Sequence, residues 1–431
     1  PHTSDFLRWV DEYISRRTRQ CQVQRANVFY IDPSQGSNGS GTSASPWNSL
    51  VPVRSWLASN PTGNARFLFK RGTILRDTIG LTLIQPNLYF GAYGKNVATG
   101  GTDKPIISHF TVRWGSGGTR WVVQAGNRWR ANTGTVSENP NLAGGSPASN
   151  FGFVRLFESP FNPLVAVGSS SECESTPYSF FSGSGFVDIN LDGDNPNSYT
   201  IEAVPAQANP PDGFRILNGS TGLWIHGLVV EGWGCGALGL AATGGGNESG
   251  IRNLAGGTAS EAEHVALITN CESYYNGAHA ISQEPGGIGG THIVVGCVAG
   301  FDYNGNNGDA MFNTYAGDAQ QECVYKDCVA RFGTLPRTIT TPFPTVAQGS
   351  VVVRGGGAFY GHQGGSTHPV SLYLNIHCRI ADERDKFPLA TTYSENWSFS
   401  EASDSMFAGT SASSPASIRA FVIGWKSPRH R

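Results

Sequence analysis

The sequence predicts an all-β chain of short, stacked strands behind one N-terminal α-helix. Three observations predict it. Only 14% of the 431 residues are charged, while 56 are glycine, a composition of tight turns and short strands rather than of helical bundles. Short apolar runs alternate with Gly, Asn, Ser and Pro clusters along most of the chain. In the second half a strand–turn–strand pattern recurs with a small residue at a fixed place, as expected of units that bury their apolar faces by stacking on one another.

The first element is the helix. From Ser4 to about Arg25, Phe6, Leu7, Trp9, Val10, Tyr13 and Ile14 form an apolar stripe, and Ser4 stands where a cap is needed. Residues 1–27 are one unit, either a cap packed on the body or an attachment and oligomerisation helix. The basic runs Ser15–Arg19 and Lys426–Arg431 read as solvated ends, and a net charge of −2 gives no electrostatic case for nucleic acid. No apolar run is long enough to span a membrane, and the start lacks the apolar core of a signal peptide.

Next, Phe29–Leu50 passes from a β-run through a Gly/Ser/Asn loop to Pro46-Trp47, and Arg66–Leu81 and Asn87–Ser108 supply further β-runs. Tyr30-Ile31-Asp32-Pro33, with Gly36, Asn38-Gly39, Gly41-Thr42 and Pro46-Trp47, resembles the opening segment of right-handed parallel β-helix proteins of the pectate-lyase-like superfamily. FKRGT (Phe69–Thr73), GAYG (Gly91–Gly94) and KPII (Lys104–Ile107) resemble its first coils. The resemblance implies a single-stranded right-handed parallel β-helix, a solenoid, over residues 28–385, with 386–431 as a C-terminal cap or oligomer contact. It also implies a glycan ligand, bound or cleaved along the side of the coils. It specifies fold more closely than substrate: no pectate-lyase arginine motif or polygalacturonase aspartate cluster maps onto these residues.

The stretch around 112–210, with Trp114, Trp121 and Trp129, reads as strands with long insertions. Within it, Asp188, Asn190, Asp192 and Gly193 imitate the opening of a calcium loop, but Tyr199 stands where that loop needs a bidentate Glu. The same run alternates like a strand entering a turn. No metal and no cofactor are expected.

The repeat follows in segments beginning at Leu223, Ala266, His292, Cys323 and Leu372, whose small residues are Gly227, Cys271, Cys297, Cys328 and Cys378. In-register parallel strands sit about 4.8 Å apart, so these cysteines read as a buried ladder of free thiols, with stacking favoured over bridges. A reduced set fits assembly in a cytoplasm. Downstream, Ala237, Ala280, Ala310 and Ala358 can be aligned, which makes Leu238, Ile281, Met311 and Phe359 an inward apolar column. The column before the alanines is then Gly236, His279, Asp309 and Gly357. A one-residue slip would invert the facing of each strand.

In this register His279 and Asp309 lie one coil apart, and a carboxylate beside an imidazole raises and orients it for acid–base work. With Glu284 they are the candidate catalytic residues. Tyr274, Tyr275, Asp302, Tyr303, Tyr315 and His362, together with Trp233, are candidate sugar-binding groups, rings for stacking and polar groups for the rim. Glycoside hydrolysis needs two carboxylates at a suitable separation, for which Glu231, Glu272, Asp302, Asp309 and Asp318 are available. A β-eliminating lyase needs a base and a cation near the uronate. The same His and Asp also read as ordinary turn chemistry.

Three functions fit these features. The first is a virion-associated, homotrimeric tailspike of a bacteriophage. It would bind, and in many cases cleave, host cell-surface polysaccharide, and would attach to other virion or tail proteins through the N-terminal helix. The second is a secreted bacterial polysaccharide lyase or glycoside hydrolase. The third is a non-catalytic virion or adhesion β-helix. The two ends of the chain favour the first, since the apolar run Ile418–Trp425 suits subunit contacts.

Overall fold

The computed structural model describes residues 3–95, 103–132, 151–157, 164–183, 185–205, 211–234, 249–255, 264–277, 279–283, 290–300, 312–316, 322–332, 359–363, 372–382 and 396–401. The fold is mostly β, with a helix at the N-terminus. Among the described residues no helix is long and apolar enough to cross a membrane.

Three parallel sheets dominate. The first contains Asn27–Ile31, Ala65–Lys70, Leu88–Tyr93, Leu223–His226, Val265–Thr269, Thr291–Val295, Glu322–Lys326 and Leu372–Asp382. The second contains Ile74–Arg76, Ile106–Ser108, Val229–Glu231, Glu272–Tyr274, Val298–Gly300 and Val329–Phe332. The third contains Leu81–Leu83, Phe214–Ile216, Ser249–Asn253, His279–Gln283, Phe312–Ala316 and Phe359–Gln363. The chain visits them in rotation, and each strand pairs in parallel with its counterpart one round away. The strand Leu372–Asp382 ends the series by pairing with both the first and the second sheet.

Alternation along each strand sends one set of side chains into a common core. Phe67, Phe90, Ile225, Ile268, Val294 and Tyr325 come from the first sheet, Ile107 and Val230 from the second, and Phe214, Ile251, Ile281 and Phe312 from the third. A short helix, Val51–Ser59, adds Val53 and Leu57 to this core and carries a proline in its first turn, where the missing N–H costs nothing. Its helicity is not legible in an apolar stripe of useful length.

In the four rounds between Leu223 and Phe332 the corner from the first to the second sheet turns on one left-handed residue: Gly227 (φ 64°), Asn270 (51°), Gly296 (61°) or Asp327 (54°). Only Gly, Asn and Asp take this conformation at little cost. The next column inward is Leu228, Cys271, Cys297 and Cys328, all buried. The cysteines therefore stack on Leu228, while Gly227 belongs with Asn270, one residue from the alignment the repeat suggests. Cys271, Cys297 and Cys328 are free thiols, and each Sγ donates to a carbonyl of the preceding round: Ile225 at 3.7 Å, Ile268 at 3.6 Å and Val294 at 3.5 Å.

The N-terminal helix, Thr3–Thr18, is shorter than its apolar stripe suggests and gives way to a 3₁₀ turn, Arg19–Cys21. It lies on the outer face of the first sheet, where Val10, Tyr13 and Cys21 join Val265, Leu267, Ile293 and Val324 in one apolar cluster. Asp11 pairs with Lys326 at 2.6 Å. Arg25 secures the segment that follows by donating to the carbonyls of Cys21, Val23, Asn87, Leu88 and Gly222.

Between Ser108 and Phe214 the chain leaves the rotation and builds two antiparallel sheets. One joins Val112–Trp114, Ile201–Pro205 and Phe151–Leu156; the other contains Arg128–Asn132, Phe186–Asn190 and Ser179–Gly183. Their apolar core continues onto the outer face of the second sheet through Val229, Tyr274 and Tyr275. The calcium-like run is the strand Phe186–Asn190, and the Asp188 carboxylate is occupied by Arg130 (2.6 and 2.8 Å) and Arg128 (3.1 Å).

Candidate functional site

The sequence-predicted residues divide between two sheets. His279 opens a third-sheet strand, is fully buried, pairs with Ser249, and shares its alternation with the core residue Ile281. Ile281 pairs with Phe312, and Phe312 with Phe359, so the third-sheet register differs by one residue from the Ile281–Met311 alignment on which the His279–Asp309 pair was built. Glu284, Asp302, Tyr303, Asp309 and Asp318 lie outside the described residues. Tyr315 and His362 occupy neighbouring strands and pair directly in register.

Of the predicted stacking tyrosines, Tyr274 and Tyr275 are buried instead of facing solvent. Tyr274 is 7% exposed. Tyr275 takes the left-handed corner after the second sheet (φ 58°) and is enclosed by Phe110 and Phe153, with the Arg155 guanidinium 5.2 Å from its ring centre. Trp233 is buried against His109, ring centres 5.0 Å apart, and donates to the Ile107 carbonyl.

Glu231 is committed to a buried ion cluster. Arg155, from the inserted sheets, donates to both its oxygens at 2.8 and 2.9 Å and to Glu202 Oε2 at 2.9 and 3.2 Å. Arg76 completes the other side of Glu202, and Ser108 donates to Glu231 at 2.8 Å. Burial pushes the Glu231 carboxyl up, but the charge and hydrogen bonds of Arg155, with Ser108 and Arg76, outweigh it and hold the group below the usual range. A carboxylate so fixed in its ionised form is not a general acid.

Glu272 is different. It points outward from the second sheet, half-buried, between the Lys104 ammonium at 2.8 Å and the Tyr274 hydroxyl, which donates to it at 2.8 Å. Beyond the left-handed corner, at the end of a first-sheet strand, stands His226. Thr269 Oγ1 lies 2.7 Å from His226 Nδ1 and 2.8 Å from Trp224 Nε1, and the Trp224 and His226 ring centres are 5.5 Å apart. Partial burial, then the positive charges of Arg71 and Lys104, lower the His226 pKa. The result is a half-exposed, neutral imidazole with two cations in electrostatic range and an indole beside it.

Glu272 and Tyr274 were candidates from the sequence, whereas His226, Trp224, Thr269, Lys104 and Arg71 were missed because they are far apart in sequence and each looks ordinary. The available signal was the recurring corner itself, which places His226 directly before the left-handed Gly227 and Glu272 directly after Cys271. Among the described residues no three His, Cys, Asp or Glu side chains form a group able to hold a metal ion.

No protein-family model matches the chain, and no curated protein does. Similar solved structures include a glycoside hydrolase at 11% identity and a TM-score of 0.38, covering 71% of this chain and 75% of that one. Another is XylC in complex with xylose, at 12% identity and 0.37, covering 72% of this chain; this chain spans 62% of the length of XylC. A third is a rhamnogalacturonan lyase, at 10% identity and 0.30, covering 83% and 67%. These likenesses are too distant to argue from.

Proposed function

We propose that the chain is a carbohydrate-active enzyme that cleaves an acidic polysaccharide by base-assisted elimination, and that its three sheets are the faces of one right-handed parallel β-helix. The fold reading is supported by the strict rotation of strands and by one core shared among the sheets. The functional reading is carried by one observation, the half-buried His226 imidazole held 2.7 Å from Thr269 Oγ1 with the Trp224 ring 5.5 Å away, where partial burial and the charges of Arg71 and Lys104 lower its pKa.

In that reaction the acting tautomer is the one whose Nδ1–H donates to Thr269 Oγ1, which leaves Nε2 with a lone pair. Nε2 removes the proton next to the uronate carboxyl group. The electron pair forms a carbon–carbon double bond, the glycosidic C–O bond breaks, and the leaving oxygen takes the proton back from the His226 imidazolium to depart as an alcohol. Lys104 and Arg71 stabilise the negative charge that grows on the carboxylate in the transition state. Glu272 and Tyr274 are positioning residues that hold Lys104. Hydrolysis would require two available carboxylates, and among the described candidates Glu231 is bound by Arg155 and Glu272 by Lys104.

The test is incubation with polygalacturonate, alginate and other acidic glycans, following unsaturated-uronate absorbance and reducing ends together. Both should rise, and His226→Ala should abolish both. New reducing ends without the unsaturated product would overturn the elimination reading in favour of hydrolysis. A trimeric virion spike carried by the N-terminal helix is less well supported, because Val10 and Tyr13 are spent on the first sheet, and among the helix side chains whose burial is described Trp9, 42% exposed, is the aromatic left for a partner.

A further inference from the structure

The outer face of the first sheet, leading up to Trp224 where it packs on the cluster beneath the N-terminal helix, carries rings and cations side by side, with the Arg25 guanidinium 5.7 Å from the Tyr89 ring centre. Arg66, Tyr89 and Trp224 are register partners in one column. Lys70 and Tyr93 pair at the strand ends. The Arg66 guanidinium sits 5.1 Å from the Tyr89 ring centre, and the Lys70 ammonium 5.4 Å from that of Tyr93. Tyr89 meets Trp224 edge-on at 5.2 Å, and Tyr30 meets Tyr93 edge-on at 5.0 Å. Tyr89 leans across Gly91, which has no side chain in the way. Tyr30, Tyr89, Tyr93, Trp224 and Lys70 are half-buried, and Arg66 is exposed.

A surface built only for packing would pair its cations with carboxylates. Among the described residues neither Arg66 nor Lys70 makes an ion pair. Asp32, the carboxylate in electrostatic range of Lys70, is buried and already accepts from Ser34 and Gln35. The strip runs directly to Trp224 and His226.

We infer that this strip is an extended binding surface for an anionic polysaccharide, with sugar faces against Tyr89, Tyr93 and Trp224 and carboxylate or sulfate groups against Arg66 and Lys70. Aromatic faces accept the apolar faces of sugars, and guanidinium and ammonium groups take their acidic substituents. The inference rests on the reading of His226 as the cleavage base, because it assigns the strip as the path by which the polymer reaches that residue.

The experiment is affinity electrophoresis of the full chain carrying His226→Ala, in gels containing polygalacturonate, alginate, heparin or neutral dextran, with a single-stranded DNA oligonucleotide as a further probe. At least one acidic glycan should retard the protein and dextran should not. Adding Arg66→Ala and Lys70→Ala should weaken that binding roughly tenfold, the expected loss for two partly exposed charge contacts and their ring partners, with an unchanged thermal midpoint. Undiminished binding in the double variant, no retardation by any acidic glycan, or equally tight binding of the oligonucleotide would each overturn the inference. Elimination activity in the unmutated chain is read separately, so this surface and the proposed catalytic site fail independently.

Discussion

Replacing Arg155 by Met tests how the inserted sheets are fastened to the second sheet. The substitution keeps much of the volume and removes the charge that serves two buried carboxylates. Glu231 is left with the Ser108 hydroxyl, and Glu202 with Arg76 and, at 3.8 Å, Arg113. Removing one partner of a buried ion pair costs about 3–5 kcal/mol, chiefly because the stranded charge stays desolvated. Glu202 keeps a guanidinium, so the loss should fall within that range and not double it. Urea titration reads it as a lower midpoint at an unchanged slope. In the parent, the depressed Glu231 pKa contributes stability above the ordinary carboxylate range, lost as pH falls through the lower folded value. In the variant, burial without Arg155 pushes that carboxyl up, so the deficit should shrink when the pH is lowered into the range where Glu231 can protonate. Combining Arg155→Met with Glu202→Gln and Glu231→Gln should recover part of the loss. A deficit below about 1 kcal/mol for Arg155→Met, or no recovery in the triple variant, would refute the argument.

Four other outcomes are expected. Burial pushes His109 and His264 down to about 4; both are neutral in the fold, so stability is full above about 6.5 and falls toward pH 4 by up to roughly 1.4 kcal/mol per pH unit for each. His109→Phe should flatten that slope in urea titrations across the window, and an unchanged slope would count against the assignment. Gly227→Ala meets no atom within 4 Å but keeps φ at 64°, so it should cost about 1–2 kcal/mol by backbone strain alone, with Gly227→Asn costing less; equal losses would show that conformation is not the cause. The six cysteines whose side chains are described are buried, with Cys21 and Cys173 pushed up to about 12 by desolvation; a thiol reagent should therefore modify at most two of the eight cysteines before denaturation and all eight after it. Glu272→Gln should weaken the hold on Lys104, lowering kcat on an acidic glycan while the unfolding midpoint stays close to the parent's.

The mostly-β character was legible because turn residues punctuate apolar runs all along the chain. The cysteine column was legible because a small residue must recur where successive strands leave the same corner. Its phase was not: Gly227 looks like the counterpart of Cys271, yet backbone conformation assigns it to Asn270, and Leu228 takes the column. The same ambiguity separated Ile281 from Phe312, since Met311 and Phe312 are equally acceptable as core residues. A periodic pattern fixes spacing, whereas register depends on hydrogen bonding that an apolar column does not encode. The aromatic residues expected on the surface were misassigned for a related reason. Tyr275 looks like a sugar platform until the inserted sheets supply Phe110, Phe153 and Arg155 to cover it. His226 was invisible as a site residue because the corner it precedes was read only for its small residues.

The one-residue corner also governs where this chain can tolerate changes in length. Inserting or deleting a residue there would shift the following strand by one position and turn its core side chains outward, with the fault passed to every later round. The connection from the second to the third sheet has no such constraint. It is short between Tyr274 and His279 and long enough to hold two antiparallel sheets between Ser108 and Phe214. New loops, and with them new specificities, would be expected to accumulate away from the Gly227–Asn270–Gly296–Asp327 corner, which keeps the same length over those four rounds.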